Sequence, residues 1–314
     1  MKIVYMGTPD FAVLPLRAMK EAGFEVAAVV TQPDKPKGRG KTMMPTAVKE
    51  EAVALGIPVY QPVKVKEPEF LETLKEIAPD IIVVAAFGQI IPKTILNLPR
   101  FGCINIHASL LPKYRGAAPI QQAVIDGEKE SGVTIQKMGE GLDTGDMISK
   151  AVVVLAPEET GGSLFDKLSK AGADLLVKTL PSIFDGTAVY EKQPEESPTP
   201  YASMITKQMG LLDFTKSAEV LERLVRGLNP WPSAYTFLNG KTLKVWKSRV
   251  GEEKGSALPG TVVKTDKNGI HVACCDKTLI LEEIQIEGKK RMDADAFLRG
   301  YPVETGTKFS DKKE

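Results

Sequence analysis

An amide and an imidazole lie at the end of one short apolar run, and their types and spacing suggest chemistry. The run Cys103–Ile106 is typical of a buried strand; it contains Asn105 and is followed by His107. Residues two apart on a strand point to the same face, so we expect both side chains on one face. An amide donor beside an imidazole can stabilise a developing oxyanion and handle a proton. Alone, the pair could equally be a hydrogen-bonded asparagine and histidine of a core.

A glycine-rich stretch further along the chain adds a carboxylate. Residues 139–146 read Gly-Glu-Gly-Leu-Asp-Thr-Gly-Asp, with Asp143 near the centre. An acid in such a turn often serves only an Asx-turn, but here it could reach the end of the sheet that carries His107. Side chains at the carboxyl end of a parallel strand open into the crevice where such sheets bind ligands. The sequence therefore predicts a polar pocket built from Asn105, His107 and Asp143.

The elements that must position these residues alternate between strand and helix. The alternation predicts an α/β domain with a Rossmann-like, doubly wound and mostly parallel sheet. Thr8-Pro9-Asp10 is expected to begin the first helix, with the Thr8 hydroxyl as its cap. Strands are predicted at 2–6, 26–31, 80–87 and 103–106, and helices at 11–22, 46–55, 67–77 and 161–185.

The second part of the chain has a different pattern. A stretch rich in Pro, Ser and Glu, 191–203, predicts a boundary. We assign 1–190 to a catalytic domain, 191–206 to a linker and 207–314 to a second domain. A helix at 217–228 and short strands separated by turns are typical of a small OB-like β-barrel. The strands are predicted at 234–238, 242–249, 260–264, 270–274 and 278–286.

Composition excludes several classes of protein. The 314 residues are 43% hydrophobic and 26% charged, which is typical of a globular protein outside the membrane. Apolar runs such as 81–87 are far shorter than the ~20 residues that span a bilayer. Three cysteines, two of them adjacent, give neither a disulfide framework nor metal-ligand spacing. With only two histidines, we expect a cytoplasmic protein that needs no metal.

Two strings around the polar pocket resemble the signatures of the formyltetrahydrofolate-dependent transferase family. They are Ser-Leu-Leu-Pro-x-x-x-Gly-x-x-Pro from Ser109 and Leu-Asp-Thr-Gly-Asp from Leu142, and both are intact. The resemblance implies the formyltransferase fold, with 10-formyltetrahydrofolate as the donor and an amine as the acceptor. It also implies that Asn105, His107 and Asp143 are catalytic. The residues that it implies for the folate pocket are Ser109, Leu110, Leu111, Pro112, Phe87, Gly88, Ile90 and Ile91.

Further strings resemble the members of this family whose acceptor is methionyl initiator tRNA. They are residues 7–11, 31–41, 229–234 and 287–292. No acid occurs from Lys35 to Lys49, and a basic segment of this kind suits a polyanion. Together, the charge and the resemblance imply contacts with tRNA by Lys37, Arg39, Lys41, Lys289 and Lys290. By themselves, residues 35–49 could be a flexible surface loop, and Lys289 and Lys290 are more typical of a solvated face than of a phosphate contact.

Two other functions fit parts of the same pattern. One is a formyltransferase with another amine acceptor, such as an amino-sugar nucleotide. The other is a non-catalytic OB-type protein that binds nucleic acid. Gly7-Thr-Pro-Asp is not a G-x-G-x-x-G fingerprint, so a nicotinamide dehydrogenase gains no support. The sequence leaves open whether His107 or Asp143 takes the amine proton, and we expect a monomer.

Overall fold

The computed structural model describes residues 1–37, 42–253, 255–310 and 312. Within these ranges, no helix has both the length and the apolar character needed to cross a bilayer. The chain divides into two compact units. The first unit consists of Met1–Pro119, Glu130–Val154 and Phe165–Ala202, and the second of Ile120–Lys129, Leu155–Leu164 and Ser203–Glu314.

The first unit is built on a seven-stranded sheet with the order β5-β2-β1-β6-β7-β8-β9 in the described chain. The pairs among β1, β2, β5, β6 and β7 are parallel, whereas β8 is antiparallel to both β7 and β9. A separate hairpin joins β3 to β4. The strands are β1 Lys2–Gly7, β2 Glu25–Val30, β3 Lys35–Lys37, β4 Thr42–Met44, β5 Val59–Tyr60, β6 Ile81–Ala85, β7 Cys103–His107, β8 Glu130–Lys137 and β9 Met147–Val154.

The helices of the first part of the chain begin and end close to the predicted positions. Thr46 caps α2 because its hydroxyl accepts a hydrogen bond from Lys49 N. The predicted cap at Thr8 is wrong: its hydroxyl donates to Phe87 O at 2.8 Å, and a short 3-10 turn, Asp10–Ala12, precedes α1. The helices are α1 Val13–Glu21, α2 Ala47–Ala54, α3 Pro68–Ile77, α4 Lys93–Leu96, α5 Pro119–Asp126 and α6 Gly161–Asp185.

Apolar runs explain the central strands. Every residue of Ile81–Ala85 in β6 is buried, as expected for a strand that packs on both faces. One core cluster joins Val4 and Val84 of the sheet to Phe70 and Leu74 of α3. The prediction of a Rossmann-like, mostly parallel sheet is confirmed, whereas β8 and β9 are additions that the sequence analysis did not anticipate.

The second unit contains an antiparallel sheet with the order β10-β11-β14-β13-β12, and β15 pairs with β14. Ser217 caps α7 by accepting from Val220 N, and Leu221 and Val225 of that helix enter the core. The elements are α7 Ala218–Gly227, β10 Ala234–Leu238, β11 Lys241–Glu253, β12 Val262–Asp266, β13 Gly269–Ala273, β14 Lys277–Ile286, β15 Met292–Asp293 and α8 Ala294–Gly300.

A short segment, Thr307–Ser310, closes this sheet. On one side Ser310 and Phe237 of β10 exchange two backbone hydrogen bonds. On the other side Thr307 O accepts from Val262 N of β12, and Phe309 N donates to Gly260 O. Because the segment bridges both edge strands, it leaves neither edge open for pairing with another chain. The sequence analysis predicted a small OB-like β-barrel; an antiparallel β domain at this end of the chain is confirmed, whereas this closing segment was not predicted.

Phe309 anchors the closing segment, and its removal should destabilise the second unit. The ring is buried and lies 6.1 Å from the ring of Phe214, measured between centroids. Phe309→Ala should lower the free energy of unfolding of this unit by ~3–5 kcal/mol. Both tryptophans of the chain, Trp231 and Trp246, belong to this unit, so their fluorescence in urea reports its unfolding. Lys308→Ala, at an exposed neighbour, is the matched control; equal losses in the two variants would contradict the anchoring role.

Candidate active site

Strand β7 carries two of the predicted catalytic side chains on one face. Asn105 pairs with Gln136 across the antiparallel β8, and His107 pairs with Thr134. Directly opposed residues of paired strands share a face, so these four side chains lie on the same side of the sheet. On its other edge β7 pairs with the parallel β6, where Val84 lies opposite Asn105.

The His107 ring is fixed by two contacts. Its Nε2 lies 2.9 Å from Tyr114 O, and since a carbonyl can only accept, Nε2 carries the hydrogen. Its Nδ1 lies 3.5 Å from Asp143 Oδ1. In the neutral ring Nδ1 therefore holds a lone pair, and it gains an attractive carboxylate neighbour once it takes up a proton. This arrangement suits a group that accepts a proton during a reaction.

The Asp143 carboxylate is oriented by neutral donors. Its Oδ1 accepts from Gln136 Nε2 and its Oδ2 from Gly116 N, each at 2.9 Å. The residue has a φ of +53°, in the left-handed region that a non-glycine residue seldom adopts. Gly145 is required nearby, because an added Cβ would lie 1.7 Å from Lys137 O. The glycine-rich turn thus delivers the carboxylate to His107.

Asn105 offers its amide to a ligand. The residue is half-buried, and among residues that the structure describes its side chain has no hydrogen-bond partner. A half-buried amide on the same face as His107 leaves its donors free for a substrate oxygen.

The loop after β7 is held rigidly. Ser109 Oγ donates to Lys113 O at 2.7 Å, and Leu111 N donates to Thr134 Oγ1 at 3.1 Å. Ser109 and Leu111 are buried, so their side chains support the loop from below. Leu110 and Pro112 instead line a cavity of about 320 Å³ together with Lys113, Tyr114, Glu130, Ser131 and Pro198.

The loop after β6 holds the other residues assigned to the folate pocket. Phe87 and Ile91 pack into the core of the first unit, so this loop can offer a ligand mainly backbone atoms and the side chain of Ile90, which is 91% exposed. Gly88 has a φ of +82°, and its carbonyl accepts from Gln32 Nε2 at 3.2 Å. The tie from Gln32, like that from Thr8 to Phe87, was not recognised in the sequence.

The predicted contacts with tRNA are only partly described. Arg39 and Lys41 lie outside the residues that the structure describes, and Lys37 ends β3. Lys49, part of the same basic run, forms an ion pair with Asp34 at 2.7 Å. That pairing reduces the positive charge that the run offers to a polyanion.

In the second unit, Lys289 and Lys290 are exposed beyond β14. Sequence analysis missed Trp246 of β11, whose ring lies 5.4 Å from Lys244 Nζ and 4.7 Å from the Arg291 guanidinium. Cations beside an aromatic ring are common where proteins bind single-stranded nucleic acid.

The polar groups of the site all belong to the first unit. Among the described ranges, no group of three His, Cys, Asp or Glu side chains could hold a metal ion. The chemistry that the geometry supports directly is proton transfer by His107 and Asp143 beside an amide donor.

Comparisons with known proteins cover almost the whole chain. The formyl transferase family model matches residues 1–180, and the model of the formyl transferase C-terminal domain matches residues 204–302. The chain is 58% identical to a methionyl-tRNA formyltransferase of Agathobacter rectalis, covering 99% of this chain and 100% of that one. It is 54% identical to one of Lachnospira eligens, with 99% and 100% covered.

A solved structure shares the fold. It is an N-formyltransferase of Helicobacter canadensis in complex with folinic acid and dTDP-3-aminofucose. The TM-score is 0.66 at 21% identity, with 90% of this chain and 98% of that chain covered.

The cysteine at the start of β7 should be chemically silent. Burial raises the pKa of Cys103 to about 12, and it does the same for Cys274, so both stay protonated at pH 8. Cys275 is exposed. The folded protein should therefore react quickly with a single equivalent of a disulfide reagent, and Cys275→Ala should abolish that reaction. Denatured protein is the control, since all three thiols should then react; a second fast thiol in the folded state would contradict the assignment.

Proposed function

The chain belongs to the formyl transferase family, and we propose that it transfers the formyl group of 10-formyltetrahydrofolate to the α-amino group of methionyl initiator tRNA. The product, N-formylmethionyl-tRNA, serves translation initiation and links one-carbon metabolism to protein synthesis. The observation that carries this function is the identity of 58% over 99% of the chain with a methionyl-tRNA formyltransferase.

The reaction begins with attack of the neutral amine on the formyl carbon. An α-amine has a reference pKa of about 8, so its neutral form is accessible near neutrality. The new C–N bond gives a tetrahedral intermediate with a negative oxygen. In the proposed mechanism Asn105 donates a hydrogen bond to that oxygen, and one such donor typically contributes ~3–4 kcal/mol.

His107 and Asp143 act as one proton-accepting pair. The amine loses its proton to this pair as it attacks. The Asp143 carboxylate, which faces Nδ1 of His107, stabilises the ring when it is protonated. Collapse of the intermediate then breaks the bond to the folate nitrogen, which takes a proton as it leaves. The Tyr114 carbonyl keeps the ring in place through these steps.

Folate binding is assigned to the two loops at the carboxyl ends of β6 and β7. Backbone groups around Gly88 and Ser109–Pro112 would hold the polar ring of the donor, and the exposed Ile90 would cover its apolar face. Because β6 and β7 are neighbours, the loops that follow them end at the same edge of the sheet.

Binding of tRNA is assigned to the second unit and to the basic segment after β2. Lys289 and Lys290 supply charge, and Trp246, which lies beside the Arg291 guanidinium, supplies a stacking surface. Asn105, His107 and Asp143 lie within one chain, so a monomer is sufficient. Three free cysteines support a reducing cytoplasm as the location.

Two rival functions have less support. An amino-sugar nucleotide is the acceptor suggested by the structure from Helicobacter canadensis, but at 21% identity that likeness concerns the fold. A protein that only binds nucleic acid would have no use for an amide, an imidazole and a carboxylate around one face.

The function is tested by following a labelled formyl group. The protein is incubated with labelled 10-formyltetrahydrofolate and either methionyl initiator tRNA, the same tRNA uncharged, or an amino-sugar nucleotide. We expect label on methionine in the first reaction alone. Label on the sugar nucleotide, or on none of the acceptors, would refute the proposal.

Loss of the Asn105 amide should slow the reaction without changing the fold. Asn105→Ala should lower kcat by roughly 100-fold or more, because the donor acts mainly on the oxyanion of the transition state. Steady-state formylation measures this, and folate affinity is measured separately by titration. Asn97→Ala, at an exposed asparagine, is the matched control and should keep the parental kcat. Comparable rates in the two variants would remove Asn105 from the mechanism.

Arg39 should contribute more than charge to recognition of tRNA. It lies between Gly38 and Gly40 in a segment without acids, and a guanidinium can bind a phosphate with two donors or stack on a base. Arg39→Lys should lower kcat/KM for the tRNA by ~1–3 kcal/mol in free-energy terms, with folate affinity unchanged. Arg100→Lys, at another exposed arginine, is the control at the same salt concentration. If Arg39→Lys keeps the parental kcat/KM, residue 39 contributes to tRNA recognition only through its charge, and the prediction is wrong.

A further inference from the structure

Arg115 is a charged side chain in an unusual setting. Its residue is 1% exposed, and in the part of the chain that the structure describes it forms no ion pair. Its Nε donates to Gln193 Oε1 at 3.1 Å, and its terminal nitrogens donate to the carbonyls of Pro194 and Glu195 at 2.7 and 3.1 Å. A buried cation with neutral partners is costly compared with an apolar side chain of similar size. Its bonds therefore point to a role beyond filling space.

Gln193 connects this guanidinium to the turn of Asp143. Its Nε2 donates to Asp143 O at 2.9 Å and to Gly145 O at 2.7 Å. The amide can point only one way: a flipped group would set its oxygen against two carbonyls and its NH2 against a guanidinium. Arg115 thus determines which end of Gln193 faces the turn.

The turn needs such external support. A left-handed φ is unfavourable for a non-glycine residue, and the direction of the Asp143 side chain depends on that φ. The two bonds from Gln193 lie on either side of Thr144 and hold the backbone of the turn in place. With the backbone fixed, Oδ1 stays 3.5 Å from His107 Nδ1.

The segment around Gln193 was predicted as a linker, yet it is bonded to the loop after β7. Ser197 Oγ donates to Pro112 O at 2.9 Å, and Thr199 Oγ1 accepts from Tyr114 N at 2.7 Å. Ala202 N donates to Arg115 O at 2.7 Å. We call residues 193–202 the strap. It supports the same loop that supplies Tyr114 O to His107 and Gly116 N to Asp143.

We infer that Gln193, oriented by Arg115, is a positioning residue that holds Asp143 against His107. It acts through the turn and through Gln136, whose Oε1 lies 3.4 Å from Gln193 Nε2 and whose Nε2 donates to Asp143 Oδ1. The catalytic part of this inference rests on the proposed function, whereas the geometric part does not.

The geometric part is tested without substrate, because the chain has only two histidines. In Gln193→Glu the donors to Asp143 O and Gly145 O are replaced by a carboxylate that repels both carbonyls and pairs with Arg115. The ring 15N signals of His107 should then move. Those of His271, whose Nε2 lies 3.2 Å from Asp266 Oδ1 in the other unit, should stay and serve as the internal control. Unmoved His107 signals, or equal movement of both rings, would overturn the inference.

The kinetic test asks whether Gln193 acts through Asp143. Gln193→Glu should lower kcat by ~10–100-fold, the effect expected when a reacting group is misplaced by a fraction of an ångström, with KM for folate and tRNA unchanged. In an Asp143→Asn background the same substitution should cost little, since its target is already lost. If the fold-loss in kcat of the double variant equals the product of the two single losses, Gln193 has a purely structural role and the inference is overturned.

A second variant covers the case in which Gln193→Glu does not fold. Gln193→Asn keeps an amide on a shorter arm that cannot reach both carbonyls, and it should move the His107 signals in the same selective way. If the parent protein formylates no tRNA, the proposed function fails, while the NMR comparison still decides whether Gln193 positions Asp143.

Discussion

The hydrogen bond from His107 Nε2 to the Tyr114 carbonyl is the constraint on which the site depends. It fixes the hydrogen on one ring nitrogen and leaves the other facing Asp143. To bring the Tyr114 carbonyl to the His107 ring, the loop after β7 must fold back within seven residues. The buried Ser109 and the bond from Leu111 N to Thr134 hold the return. The His107 ring is therefore preorganised by a backbone carbonyl, which does not have to be oriented again at each turnover.

The antiparallel strand β8 serves the site as much as the parallel strands do. Its Gln136 lies opposite Asn105 and donates to Asp143, so one strand positions both the amide face and the carboxylate. A parallel arrangement of β8 and β9 would require a crossover connection of a dozen or more residues between them. The change of direction at β8 instead allows a short connection with β9, and that connection contains the glycine-rich turn.

Local sequence patterns predicted the central strands and most helices, because runs such as Ile81–Ala85 are apolar throughout. The grouping of Asn105, His107 and Asp143 came from their expected place at one end of the sheet, and their catalytic role from motif resemblance; in the structure His107 and Asp143 lie side by side. The contacts of the strap could not be predicted, because Gln193 and Asp143 are 50 residues apart in the sequence. In addition, the composition of the strap resembles that of a flexible linker. The ion pair of Lys49 with Asp34 was missed for a similar reason. A run of basic residues in the sequence does not reveal which acidic residue outside the run will pair with it.

The closing segment Thr307–Ser310 also has a consequence for how the protein is made. Backbone bonds on both sides of this segment complete the sheet of the second unit, yet the ribosome adds it after every other strand of that unit. The first unit has all its residues by Ala202, so it can fold while synthesis continues. Segments 120–129 and 155–164 belong to the second unit and must wait for it. During synthesis the sheet of the first unit can therefore be complete while the edge strands of the second unit still lack their partner. Unpaired strand edges favour aggregation, so the nascent chain is most dependent on chaperones at this stage.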